Sequence, residues 1–323
     1  MTASNGHQKR HVSAGLDRNR PVLPFFILIF SSWILWIPAG ARAAAVLPFP
    51  WPFELAFFGA FMPFVLGLVF TVRAGGAAAF MRLLGRFIAW RFPIGYWVYA
   101  LFAMPAAALT MALVLTTVGD STLFSDGIAR LFNGEAIAGV MARNNANVYE
   151  SMGLFTAFYD WQAGSAAAFF IGFAGIALLE GGVSEEPGWR GFAYPVLRNR
   201  WAALPAALAV GAVWAAWHIG PQQWRILFAD GLDAFLAFLP GYLALYVVGV
   251  LPLSVIFAWL YDSTRGSLLA CFVIHASFNM TSTLANQMFD GPVILGVIAL
   301  LWGTVVAILV TRGWRHFAPR HLR

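Results

Sequence analysis

Charged side chains are what this sequence has least of: Asp, Glu, Lys and Arg make up 11% of its 323 residues, where an ordinary soluble domain carries roughly 25%. That shortage excludes a water-facing exterior, because 60% of the chain is hydrophobic and the remaining polar side chains are too few to cover a folded surface. Cysteine occurs once, as Cys271 inside an apolar run, which excludes an intramolecular disulfide and a cysteine metal cluster. The net charge is +6, yet the bases lie between apolar runs and form no stripe, so the sequence gives no footprint for nucleic acid. An internal repeat, a low-complexity tract and a soluble domain boundary are also missing.

What the sequence has instead is long apolar runs, near 22–41, 53–72, 94–118, 164–196, 202–219, 241–261, 267–288 and 292–311. Each can cross about 30 Å of hydrocarbon at a rise of about 1.5 Å per residue. They predict an all-α polytopic membrane protein with about eight transmembrane helices enclosing an intramembrane polar site. Residues 1–20 read as a disordered basic tail, 21–162 as N-terminal transmembrane helices with interfacial and extracytoplasmic loops, 163–312 as a core, and 313–323 as a basic C-terminal tail. The first run ends in Ala41-Arg42-Ala43-Ala44-Ala45, like the small-residue end of a signal peptide. Its length and the many spans that follow favour a retained first helix. Between the second and third runs, Arg82, Arg86 and Arg91 alternate with Phe80, Leu83, Leu84, Phe87 and Trp90, which suits either an interfacial helix or a basic connecting loop.

Ionisable residues inside spans are costly, so their positions carry the most information. Of six histidines only His218 and His275 fall in the apolar region, and the acids well inside spans are Glu180, Glu185 and Glu186. Glu186 and Arg190 stand four apart with the acid first, the favourable order for an ion pair along one helix face. Glu185 points about 100° away on the same helix and need not share that arginine. His275 and Asn279 are also four apart, and Trp214 lies four before His218, where it can pack on the imidazole. A helical hairpin turning at Arg198-Asn199-Arg200 brings Glu185 and His218 to similar depth, roughly 20–28 Å from the turn. His275 is nominally shallower, and closing that mismatch needs tilt or a break, for which Pro187 and Gly181-Gly182 are the available points.

Glu185-Glu186-Pro-Gly-Trp-Arg190-Gly191, Trp214-Ala-Ala-Trp-His218 and His275-Ala-Ser-Phe-Asn279 together resemble the three motifs of the CPBP intramembrane protease family, which includes type II CAAX prenyl endopeptidases and Abi-like proteins. The resemblance covers 163–288. It implies an intramembrane endopeptidase in which Glu185 activates a water, His275 shares it, and His218 and Asn279 orient it or donate to the oxyanion. Glu186 and Arg190 then form a structural ion pair. The family has been described both as metal-free and as metal-dependent. The sequence favours no cofactor, with zinc on Glu185, His218 and His275 as the alternative. Implied partners are membrane lipid and a peptide or membrane-anchored protein substrate. A non-catalytic scaffold or bacteriocin-immunity protein with the same fold is the alternative. Transport is disfavoured, because the intramembrane polar groups gather at one place without an inverted repeat.

With eight spans, 16 of the 20 Lys and Arg fall on one side and four (Arg42, Arg130, Arg143, Arg225) on the other. Both termini and the 73–91 loop are therefore expected in the cytoplasm, and 119–162 outside. The composition, with 19 Arg to one Lys, suggests a bacterial plasma membrane. A cysteine placed at Ser125 in a Cys271→Ser background should react with an impermeant thiol reagent in intact cells. Reaction only after permeabilisation would reverse the orientation.

Overall fold

The computed structural model describes residues 22–49, 51–52, 54–119, 121–136, 138–139, 174–175 and 177–319. Expectations for the N-terminal tail, for most of the 119–162 loop with Asp120, Arg143, Glu150 and Asp160, and for the last four residues fall outside these. Every regular element among the described residues is helical. In chain order they are α1 (Leu23–Ala43), α2 (Glu54–Ala60), α3 (Met62–Phe87), α4 (Ile94–Val118) and α5 (Leu123–Phe132). A continuous helical run from Leu178–Val183 to Tyr194–Arg198 forms α6. There follow α7 (Ala203–Trp217), α8 (Pro221–Asp230), α9 (Leu232–Ser263), α10 (Leu268–Met288) and α11 (Ile294–Arg312).

Six of these, α1, α3, α4, α9, α10 and α11, are long and apolar enough to cross a membrane, and a seventh span results if α7 and α8, bent by 44°, count as one. The protein is an integral membrane protein. The sequence-based figure of eight is thus approximate: the predicted 164–196 run is described only in its second half, as α6. Gly220-Pro221 explains the bend, since a proline cannot continue the preceding hydrogen-bond ladder. His218 consequently caps the end of α7. The predicted 53–72 run is likewise divided. α2 ends before α3 begins, and α3 itself is broken at Gly76, where φ is 63°. The basic segment with Arg82 and Arg86 is therefore helical, with Ala79 and Leu83 buried on its inner face.

Burial separates a centre from a periphery. From Ser184 to Leu197 every residue of α6 is buried, the mark of a helix enclosed on all sides. By contrast α3, α4 and α11 are only 17–22% buried over their most apolar stretches, and their outward side chains, such as Val98, Phe102 and Val306, face lipid. α1 closes one side of α6. Its Phe25 ring meets the Trp189 ring edge-on at 5.8 Å, and Ser32, fully buried, donates to the Gly59 carbonyl (2.8 Å) while accepting from the Trp217 indole (2.8 Å). α4 is tied to α11 by Tyr99 donating to Thr304 (2.9 Å) and to α10 by Ser277 donating to the Leu101 carbonyl (3.1 Å). At one end, Arg130 pairs with Asp290 and holds that exposed carboxyl below its ordinary pKa.

The contact between α3 and α6 is backbone on backbone. A Cβ on Gly67 would lie 2.6 Å from the Pro187 carbonyl oxygen and 2.8 Å from Gly188 Cα, so no flexible side chain can yield. Gly67→Ala should therefore lose about 1–3 kcal/mol by overpacking, read as a lower unfolding midpoint in detergent. An unchanged midpoint would contradict the packing.

Candidate active site

α6 owes its shape to two π-helical stretches, Leu178–Val183 and Trp189–Ala193, on either side of a five-residue α-helical piece, Ser184–Gly188. Such turns hold an extra residue and recur at functional sites. Gly181-Gly182 lies within the first of them, and Pro187 within the α-helical piece between them. The break anticipated from the sequence thus takes the form of widened turns.

The two adjacent glutamates part company here. Glu186, with no exposed surface, accepts from Arg190 Nη1 at 3.1 Å on both oxygens. Arg190 in turn donates to Ser254 Oγ at 3.1 Å, and Ser254 donates to the Ala207 carbonyl at 2.8 Å. The guanidinium is sandwiched between the Trp214 and Phe257 rings, 4.6 Å from each centroid. Its positive charge is thereby met by a carboxylate and two π faces, which is how a buried cation is tolerated. Arg190 is no loop residue and drops out of the basic count on the favoured side.

Glu185 has different company. Its Oε2 accepts from the indole N–H of Trp214 (2.6 Å) and of Trp189 (3.2 Å), while Oε1 lies 3.9 Å from His275 Nε2. Indole is a donor only, so this carboxylate is fixed by two N–H groups that cannot take its proton. His275 stands between the two acids, with Nδ1 2.9 Å from Glu186 Oε1. A carboxylate at Nδ1 draws the proton there and leaves Nε2 as the acceptor facing Glu185. His218 is set in the same sense: its Nδ1 is 2.7 Å from the Trp214 carbonyl, which can only accept. Trp214 does pack on His218, with centroids 5.6 Å apart, but its indole N–H serves Glu185.

One cavity of about 760 Å³ is lined by Glu185, His218, His275 and Asn279, together with Glu180 and Tyr246. The structure thus brings the four sequence-predicted residues from three helices onto a shared space, and keeps Glu186 and Arg190 behind its wall. Gly181 makes the approach possible: a Cβ there would lie 2.5 Å from Asn279 Nδ2 and 2.8 Å from His275 Nε2. Sequence reasoning missed the two indole donors, the His275–Glu186 bond and the Ser254–Phe257 cradle. A tryptophan four residues after Glu185, on its own helix face, was the available signal for Trp189.

Among the described residues, no group of three or more His, Cys, Asp or Glu side chains is disposed to hold a metal ion. Glu185, His218 and His275 share a cavity without converging as a ligand set, and one glutamate oxygen already takes two N–H donors.

Residues 166–281 match the family model for Rce1-like type II CAAX prenyl endopeptidases. A protein of Methanococcus maripaludis named CAAX prenyl protease 2 is 25% identical over 132 residues, or 40% of this chain and 47% of that protein. The chain thus spans about half the length of the curated relative it matches. The matched family segment contains all three motifs and every residue of the Glu185–Glu186–His275 arrangement, so the likeness to these endopeptidases falls on the residues that build the site.

Proposed function

We propose that the protein is an intramembrane endopeptidase in which Glu185 is the general base that activates a water for attack on a peptide carbonyl. The observation that carries this reading is the division of labour between the paired acids. Glu186 is neutralised by Arg190 behind the wall, whereas Glu185 opens onto the cavity, held by donors that leave its proton affinity for water. A single water between Glu185 Oε1 and His275 Nε2 would bridge their 3.9 Å separation. Glu185 takes the proton as the oxygen attacks, and passes it to the leaving amine. His218 and Asn279, on the same cavity, orient the water or stabilise the oxyanion. His218 in its Nδ1–H form offers Nε2 as an acceptor, which suits the water; the Asn279 amide supplies the N–H donor that an oxyanion needs.

The reaction is written without a metal, because the candidate donor set does not gather as ligands. The relative's name makes a CAAX-type peptide the first substrate class to try. The site lies near the end of α7 remote from Ala203, about 22 Å along its axis. With both termini cytoplasmic, as the basic asymmetry supports, it sits in the outer half of the membrane. A scaffold or immunity protein with this fold would need the cavity only for binding and would tolerate loss of the base.

Glu185→Gln keeps the size and the hydrogen-bond acceptor but removes the base. Cleavage of a quenched peptide library by purified protein should fall by roughly 10²–10⁴-fold with the unfolding midpoint preserved. Wild-type turnover in the variant would sink the assignment, and wild-type biological activity without turnover would favour the scaffold. Turnover should also survive dialysis against 1,10-phenanthroline; loss restored by zinc would reinstate the metal.

A further inference from the structure

The cavity has one polar wall of which the proposed chemistry uses only the first residue, Asn279. Beyond His275, α10 presents Asn279, Ser282, Thr283 and Asn286 to it. These positions are spaced three and four apart and form a single stripe along the helix. α9 and α11 contribute Leu245, Gly249, Leu253, Ile294 and Ile298, a wall that is apolar apart from Tyr246. A Cβ on Gly249 would meet no heavy atom within 4 Å, so that wall leaves room. Ser282 donates to the Asn279 carbonyl at 3.1 Å. Among the described residues, the side chains of Asn279, Thr283 and Asn286 bond to no protein group; Asn279 and Thr283 are half-buried and Asn286 is exposed at the cavity's edge.

A half-buried asparagine amide and threonine hydroxyl without protein partners among the described residues, continued by the exposed Asn286 amide in a helix otherwise apolar enough to span a membrane, call for something that both donates and accepts. A peptide segment at a hydrolytic site has that character. Its bond is reachable only where helical hydrogen bonds have been opened, and at membrane depth the freed N–H and C=O groups have no water to turn to. From Asn279 to Asn286 the helix rises about 10.5 Å, the length of about three extended residues.

We infer that the face of α10 from Asn279 to Asn286 is a track that hydrogen-bonds the unwound backbone of the substrate, on the side of the scissile bond toward the Met288 end of α10. This rests on the endopeptidase reading. Thr283 and Asn286 are positioning residues, remote from the reacting atoms, and the apolar wall selects uncharged side chains. The track recognises backbone, so it places an extended apolar peptide regardless of its detailed sequence.

The test measures binding apart from cleavage. Glu185→Gln protein in lipid nanodiscs is titrated, against empty discs, into a fluorescein-labelled decapeptide of alternating Val and Ala and into the same peptide N-methylated at alternate amides. The unmodified peptide should bind about tenfold more tightly. Adding Thr283→Val and Asn286→Leu should shrink the gap to less than about threefold, with the unfolding midpoint checked in parallel. Equal affinity for the two peptides, a gap that survives the double substitution, or no binding of either peptide overturns the track. The wild-type protein is then given the unmodified peptide. Binding through the track without any cleavage would leave the track standing and remove the protease.

Discussion

A carboxylate with no exposed surface, Glu186, holds this site together. Enclosed in a membrane protein, a charge is retained only where its partners are fixed, and Glu186 has two: Arg190 on its own helix and His275 on α10. Arg190 then requires Ser254 and Phe257 from α9 and the Trp214 face from α7. Four helices are thus bound to one charge cluster, and removing either Glu186 or Arg190 would leave an uncompensated ion in the core. The backbone contact between Gly67 and Pro187 presses α3 against the far side of the same segment. The ions that stabilise the site are kept out of the cavity.

This arrangement lets adjacent, identical side chains do different things. A helix separates consecutive residues by about 100°, which turns Glu185 to the cavity and Glu186 to the protein. His275 bonds Glu186 through Nδ1 and faces Glu185 with Nε2, so the tautomer favoured on the structural side decides what the imidazole presents on the open side. The supposed structural ion pair therefore also sets the protonation pattern of the cavity.

Much of this was legible in the sequence, and the reasons are specific. Apolar runs longer than a bilayer is thick announced helices, and the scarcity of ionisable groups made Glu185, His218 and His275 conspicuous. The spacing of four between Glu186 and Arg190 identified their pair, and the turn at Asn199 indicated that α6 and α7 form a hairpin. The indole contacts of Trp189 and Trp214 were hidden because tryptophan in an apolar helix reads first as packing. The division of the 53–72 run reflected the separate helix α2, which ends before α3 begins at Met62, a break that hydropathy does not register. The π turns of α6 were invisible for a related reason: hydropathy and motif spacing are both read on an assumed period of 3.6.

Those turns bear on how such a chain can change over evolutionary time. Each π stretch is a single-residue insertion absorbed without unwinding the helix. Deleting one residue from Leu178–Val183 would restore an ordinary turn and rotate everything before it by about 100° relative to Glu185. Glu180 would leave the cavity, and Gly181 would no longer stand opposite Asn279 and His275, where any larger side chain collides. Substitution can be gradual along the lipid-facing helices, whereas α6 admits changes of length only in compensating pairs. Alignments of related chains should accordingly be gapless from Leu178 to Ala193 even where few residue identities survive.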